Sequence, residues 1–133
     1  MAFQNCLRGS ILTIDLDAIA DNYRILRETA NPTKVAAVVK ANAYGLGADK
    51  IAPLLQNSGC NIFFVATLDE AVQLRSILPH AEIHVFNGIL PGWPKVMIEH
   101  RLRPVLNSLE QVNLWHKHAQ NMQTTLVADL HID

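Results

Sequence analysis

The chain is poor in most of the features that mark a specialised class of protein. It holds two cysteines, Cys6 and Cys60, in 133 residues. They stand far apart and outside any metal-ligand spacing, so neither a disulfide framework nor a zinc module is indicated, and reduced thiols in a cytosolic protein are expected. Charge is scarce as well: 17% of residues are charged, and 11 basic against 12 acidic residues leave a net charge of -1. The basic residues are scattered, which gives no electrostatic footprint for nucleic acid or an anionic membrane surface. No apolar run approaches the ~20 residues that cross a bilayer, and Met1 to Ser10 lacks the apolar centre of a signal peptide. Repeats, low-complexity stretches and flexible linkers are also missing. A cytoplasmic, untargeted single domain working on small molecules is the expectation.

What the chain does have is material for a core, with a hydrophobic content of 50%. Apolar strand-like runs recur at Val35 to Lys40, Asn61 to Ala66, Ile83 to Phe86, Arg103 to Leu106 and Thr125 to Ile132. Helical segments alternate with them. Ala48 to Gln56 is apolar at helical spacing and stops at Ser58-Gly59, while Thr67-Leu68-Asp69-Glu70 and Ser108-Leu109-Glu110-Gln111 both read as capping boxes. Pro94 suits the first turn of a short helix reaching about His100. Ahead of these, Ile11 to Leu16 alternates apolar and polar as a strand with one solvated face, and Asp17 is placed to cap an amphipathic helix through Tyr23, Leu26 and Arg27. Strand-helix alternation predicts an α/β fold with parallel strands and right-handed crossovers.

The run Val35-Ala36-Ala37-Val38-Val39 has no polar alternation and predicts a strand covered on both faces. Lys40 ends it, and Tyr44-Gly45-Leu46-Gly47 marks the turn. A lysine there sits at the carboxyl edge of the sheet, where α/β folds build their sites. Burial disfavours an ammonium, and a neutral amine can attack an aldehyde to form a Schiff base, which suits pyridoxal phosphate.

The string Ala37-Val38-Val39-Lys40-Ala41-Asn42-Ala43-Tyr44-Gly45 closely resembles the cofactor-lysine motif of alanine racemases. Leu46 stands where that family usually has histidine. Three further stretches agree in order: Thr13 to Ile19 with Asn22-Tyr23, Glu70-Ala71 with Leu74-Arg75, and Leu130-His131-Ile132-Asp133. The last leads, in the family, into a Thr-Gly-Met-x-Arg signature.

The resemblance implies a partial (β/α)8 TIM barrel of the pyridoxal phosphate-binding type, about five of eight strand units. A closed barrel needs ~250 residues, so 133 are expected to be the N-terminal portion of such a barrel: residues 1–33 a leading strand and helix, 34–133 barrel, and the C-terminal β domain absent. It further implies interconversion of L- and D-alanine, supplying D-alanine for peptidoglycan, in a homodimer. Lys40 then binds the cofactor and serves as base for the D-enantiomer, opposite a tyrosine from the partner subunit. Tyr44 becomes a ligand of the cofactor phosphate, and Val38, pointing the same way as Lys40, an apolar contact. His131 occupies a position that often holds a carbamylated lysine orienting the substrate-binding arginine, and is a candidate for part of that role. Asp133 belongs to the signature by position.

Amino-acid decarboxylases and other racemases of the same barrel superfamily are the enzymatic alternative, and a non-catalytic barrel fragment is the other. By itself the chain is expected to be inactive and to associate through unpaired strand edges. His80, His84, His100, His116 and His118 show no metal-ligand spacing, and no metal is expected.

Overall fold

A computed structural model describes residues 10–132; Cys6 and Asp133 lie outside the described residues. In chain order the elements are α1 (Leu16–Ala30), β1 (Ala37–Val38), α2 (Lys40–Tyr44), α3 (Ala48–Asn57), β2 (Ile62–Val65), α4 (Leu68–Ile77), β3 (Glu82–Val85), α5 (Trp93–Glu99), β4 (Leu102–Leu106), α6 (Leu109–Asn121) and β5 (Asp129–Leu130). The five strands form one parallel sheet in the order β1-β2-β3-β4-β5. Sequential order means that every crossover advances in the same direction, with no reversal of the kind that makes a doubly wound sheet. Such winding keeps the crossover helices on one face and curves the sheet around the other, the geometry of a partial (β/α)8 TIM barrel.

The helix-facing side chains are the core. Phe63, Val65, Ile83 and Val85 are buried beneath the crossover helices, together with Ala52, Leu55, Ala71, Leu74 and Met97. The opposite, concave face is different. Val38 is 40% exposed and Phe64 only half-buried. The expectation that the 35–39 run is covered on both faces therefore fails for this chain. All the crossover helices lie on one side, so only the alternate residues Ala37 and Val39 are sealed.

Local signals account for most boundaries. Thr67 and Glu70 make the full reciprocal capping box on α4. Ser108 accepts from the Gln111 N–H, but the Gln111 side chain reaches back to the Asn107 N–H instead of the cap residue, so that box is only half closed. Pro94 lies in the first turn of α5, as expected.

Four expectations change. Residues 11–15 form no strand, because no strand pairs with them among the described residues, and α1 is capped by Asp15, whose Oδ1 accepts from the Ala18 N–H at 3.0 Å, not by Asp17. Leu26 lies on the exposed side of α1. The last strand is Asp129–Leu130, much shorter than Thr125 to Ile132. Pro104 supplies the reason. Leu106, two residues on and oriented alike, accepts from the His131 N–H of the β5 side, whereas Pro104 has no N–H to donate in that direction.

Candidate functional site

β1 ends in an unusual piece of backbone. Lys40 begins α2, but Ala41, Asn42, Ala43 and Tyr44 all have positive φ, between 51° and 55°, making this a left-handed helical turn. Each non-glycine residue in that region costs about 1–2 kcal/mol, so the turn exists only because its surroundings over-determine it. The Val39 N–H donates to Phe64 O (2.9 Å), continuing the strand pairing up to the lysine. Within the turn, the Ala43 N–H donates to Val39 O and the Gly45 N–H to Ala41 O, both at 2.9 Å. Asn42 Oδ1 accepts from the Ala48 N–H at 2.8 Å, which ties the turn to the start of α3. Glu70 reaches across from α4: Oε1 accepts from the Ala41 N–H (2.7 Å), and Oε2 accepts from the Ala66 (2.8 Å) and Thr67 (3.1 Å) N–H groups. The Ala43 methyl is buried beneath.

This geometry gives a conformational reason for the glycines of the motif. Gly45 and Gly47 have φ of +85° and +95°, which release the chain from the left-handed turn into α3. Leu46 between them is exposed. The turn thus begins at Lys40 itself, earlier than the Tyr44 to Gly47 stretch that the sequence suggests.

Lys40 is half-buried at the carboxyl edge of the sheet. The lysine ion pairs are those of Lys50 with Asp49 and Lys95 with Glu99, so among the described residues the Lys40 amine has no carboxylate partner. Tyr44, at the end of the turn, is 62% exposed. In the strand register Val38 stands opposite Phe64, and Phe64 opposite His84. Two residues further along, the three strand ends carry Lys40, Ala66 and Phe86, with the Val39 N–H bonded to Phe64 O and the Phe86 N–H to Val65 O. Sequence reasoning missed Phe86, although the spacing of the strand ends could have found it. Phe64 stacks between Phe86 (4.9 Å) and His84 (4.3 Å), forming an aromatic floor below the lysine row.

His131 lies on the same carboxyl edge, just past β5. Its Nδ1 is 3.0 Å from Asn107 Oδ1. Asn107 Nδ2 donates to Phe86 O (2.8 Å) and Val105 O (2.9 Å), which uses both amide hydrogens. Oδ1 must therefore accept, so Nδ1 of His131 carries a proton and donates to it. Lys40 and His131 sit at opposite edges of the five-stranded sheet, roughly 19 Å apart measured along it at ~4.8 Å per strand.

His84, set aside for want of spacing, is buried at 3% exposure. Its Nδ1 pairs with Asp129 and its Nε2 lies 3.0 Å from Glu82 Oε1, with Arg103 bonded to the same Glu82 oxygen. A cavity lies elsewhere, at the amino ends of the strands, lined by Tyr23, Arg27, Lys34, Asn61, His80 and Glu82. Among the described residues no group of three or more His, Cys, Asp or Glu is arranged to hold a metal, and no helix is long and apolar enough to cross a membrane.

Comparisons with known proteins agree with this architecture. A family model described as alanine racemase, N-terminal domain, matches residues 14–133. An alanine racemase of Brucella ovis is 48% identical over 126 residues, 94% of this chain and 32% of that protein. A crystal structure of alanine racemase from Bartonella henselae with covalently bound pyridoxal phosphate superposes with a TM-score of 0.83 at 42% identity, over 86% of this chain and 32% of that one. A histidine racemase from Leuconostoc mesenteroides superposes with a TM-score of 0.75 at 25% identity, over 85% of this chain and 30% of that one. The chain spans about a third of the length of the curated relatives it matches.

Proposed function

The chain belongs to the alanine racemase N-terminal domain family, and from that membership we propose that it carries the cofactor lysine of a pyridoxal phosphate-dependent amino-acid racemase, with alanine as substrate. The observation that carries this reading is Lys40, an amine held at the carboxyl edge of a parallel sheet by a left-handed turn and without a carboxylate partner among the described residues.

The residues present fit the cofactor by their chemistry. Lys40 offers the primary amine that an aldehyde takes, Tyr44 an exposed phenol for the phosphate, and Val38 and Phe86 apolar surface at the same end of the sheet. When bound, pyridoxal phosphate supplies a conjugated ring that delocalises negative charge from the substrate Cα. The protein's part is to hold and move the proton. Lys40 Nζ, when not bound to the cofactor, would take the Cα proton of the D-enantiomer or return one on that face. Inversion needs a second group on the opposite face, which this reading assigns to a tyrosine of a partner subunit. His131 is held by Asn107 through Nδ1, and its neutral form would receive a hydrogen bond at Nε2 from a substrate-binding arginine and so orient it, though it cannot become a carbamate. The same reading implies a cytoplasmic homodimer with shared sites that supplies D-alanine for peptidoglycan.

Incubation with pyridoxal phosphate, reduction with borohydride and peptide mapping test the assignment. Label on Lys40 is expected. Label on Lys34 or Lys50 instead would remove the basis for it.

A further inference from the structure

We propose that Glu70 is a positioning residue for Lys40, acting through the left-handed turn; its functional meaning rests on Lys40 being the cofactor lysine. Glu70 is at first sight a helix-capping residue, the third residue of α4 in a reciprocal box with Thr67. Capping uses only one of its oxygens. Oε2 accepts from the Ala66 and Thr67 N–H groups, while Oε1 is turned away from its own helix, toward the Ala41 N–H at 2.7 Å. That N–H belongs to the peptide joining Lys40 to the turn, the point where the chain passes from strand into four consecutive residues of positive φ. A carboxylate is a charge-assisted acceptor, stronger than a neutral one, and this one is anchored at its other oxygen to the end of the neighbouring strand. The lysine's backbone is thereby tied to β2 on both sides: through the Val39 N–H to Phe64 O just before it, and through Ala41 and Glu70 just after it.

The two duties of Glu70 are separable by substitution. Gln at this position keeps one carbonyl oxygen, which Ala66 and Thr67 claim with two donors, and turns its NH2 toward the Ala41 N–H. Two donors cannot bond. Glu70→Gln therefore cuts the turn and spares the cap, whereas Thr67→Ala removes the cap hydroxyl from the Glu70 N–H and spares the turn.

Three readouts test the proposal without cofactor: amide exchange of Ala41 to Gly45 by NMR, the rate of Lys40 acylation by a small activated ester, and the melting temperature. Glu70→Gln should raise exchange across the turn roughly tenfold or more and accelerate Lys40 acylation, as expected for losing one charge-assisted hydrogen bond. Thr67→Ala should lower the melting temperature yet leave exchange in the turn and Lys40 acylation as in the unmodified chain. In the unmodified chain itself, the Ala41 amide proton shift should follow the Glu70 carboxylate on acidification, a readout that needs no variant to fold. An Ala41 shift indifferent to pH, unchanged acylation in Glu70→Gln, or equal effects from Thr67→Ala would each overturn the proposal. Borohydride labelling away from Lys40 would instead sink the cofactor-lysine assignment and leave these three readouts as they stand.

Discussion

Tyr23 anchors α1 to the sheet through one hydroxyl. It donates to Val35 O at 3.0 Å, just ahead of β1, in a pocket closed by the free thiol of Cys60. Burial, reinforced by the hydrogen bond and charge interaction with Cys60, pushes its pKa up to about 12 from 10.0. The folded state thus holds this proton more tightly than the unfolded chain. The stabilisation is complete below the unfolded value of 10.0 and is lost as pH rises through about 12. Urea unfolding in steps across this alkaline range should show stability falling, and Tyr23→Phe should flatten that fall while costing about 1 kcal/mol at neutral pH for the unpaired Val35 carbonyl. A Tyr23→Phe variant with the same alkaline decline would show that the loss arises elsewhere. Lys40 shows the other residue-scale lesson: its backbone setting, between a strand and a left-handed turn, is as distinctive as its amine.

Among the elements, α4 carries two anchoring residues. Glu70 fixes its start, and Arg75 its end. Arg75 is buried and has no carboxylate partner among the described residues; its guanidinium donates to four carbonyls, those of Leu78 (3.0 Å), Ala81 (2.7 Å), His100 (2.8 Å) and Arg101 (2.8 Å). Burial, with Arg101 nearby, lowers its pKa from the ordinary guanidinium value. Its fork joins the loop leading into β3 to the turn between α5 and β4. A lysine has the charge but neither the fork nor enough donors. Arg75→Lys should therefore cost roughly 2 kcal/mol or more by leaving buried carbonyls unpaired, measured as a shift of the urea midpoint without change of slope. A loss below half that would show that water replaces the missing donors.

At the scale of the molecule, β1 and β5 are the outer strands, and the concave face between them is open. Val38 is exposed there at 40%, and on the other face of the last strand Leu130 and Ile132 are exposed at 63% and 84%. Unpaired backbone on two parallel edges together with this apolar surface should make the 133-residue chain self-associate, bind a hydrophobic dye and sediment faster as concentration rises. A compact, dye-negative monomer at tens of micromolar would contradict this. The His84, Asp129, Glu82 and Arg103 cluster is the main polar tie holding β5 to the sheet from the concave side.

Much of this protein was legible in the chain because it depends on neighbours in sequence. Strand-helix alternation, the Thr67–Glu70 box, Pro94 in the first turn of α5 and the Ser58-Gly59 stop are local signals, decided by which backbone groups a nearby side chain can satisfy. Lys40 at the end of β1 followed from the same local logic and from the motif around it. What the chain alone could not reveal depends on groups far apart in sequence. The left-handed turn is held by Glu70, 29 residues away, and no propensity scale favours four such residues in a row. His84 became a buried partner of Asp129, 45 residues on, only when parallel pairing brought β3 and β5 near each other across β4. Phe86 joined the lysine row through register, and the strand after Thr125 was cut short by Pro104 on its neighbour. Tertiary structure decided these because hydrogen-bond partners, face and register are properties of pairs of strands, and a single segment read alone does not contain its partner.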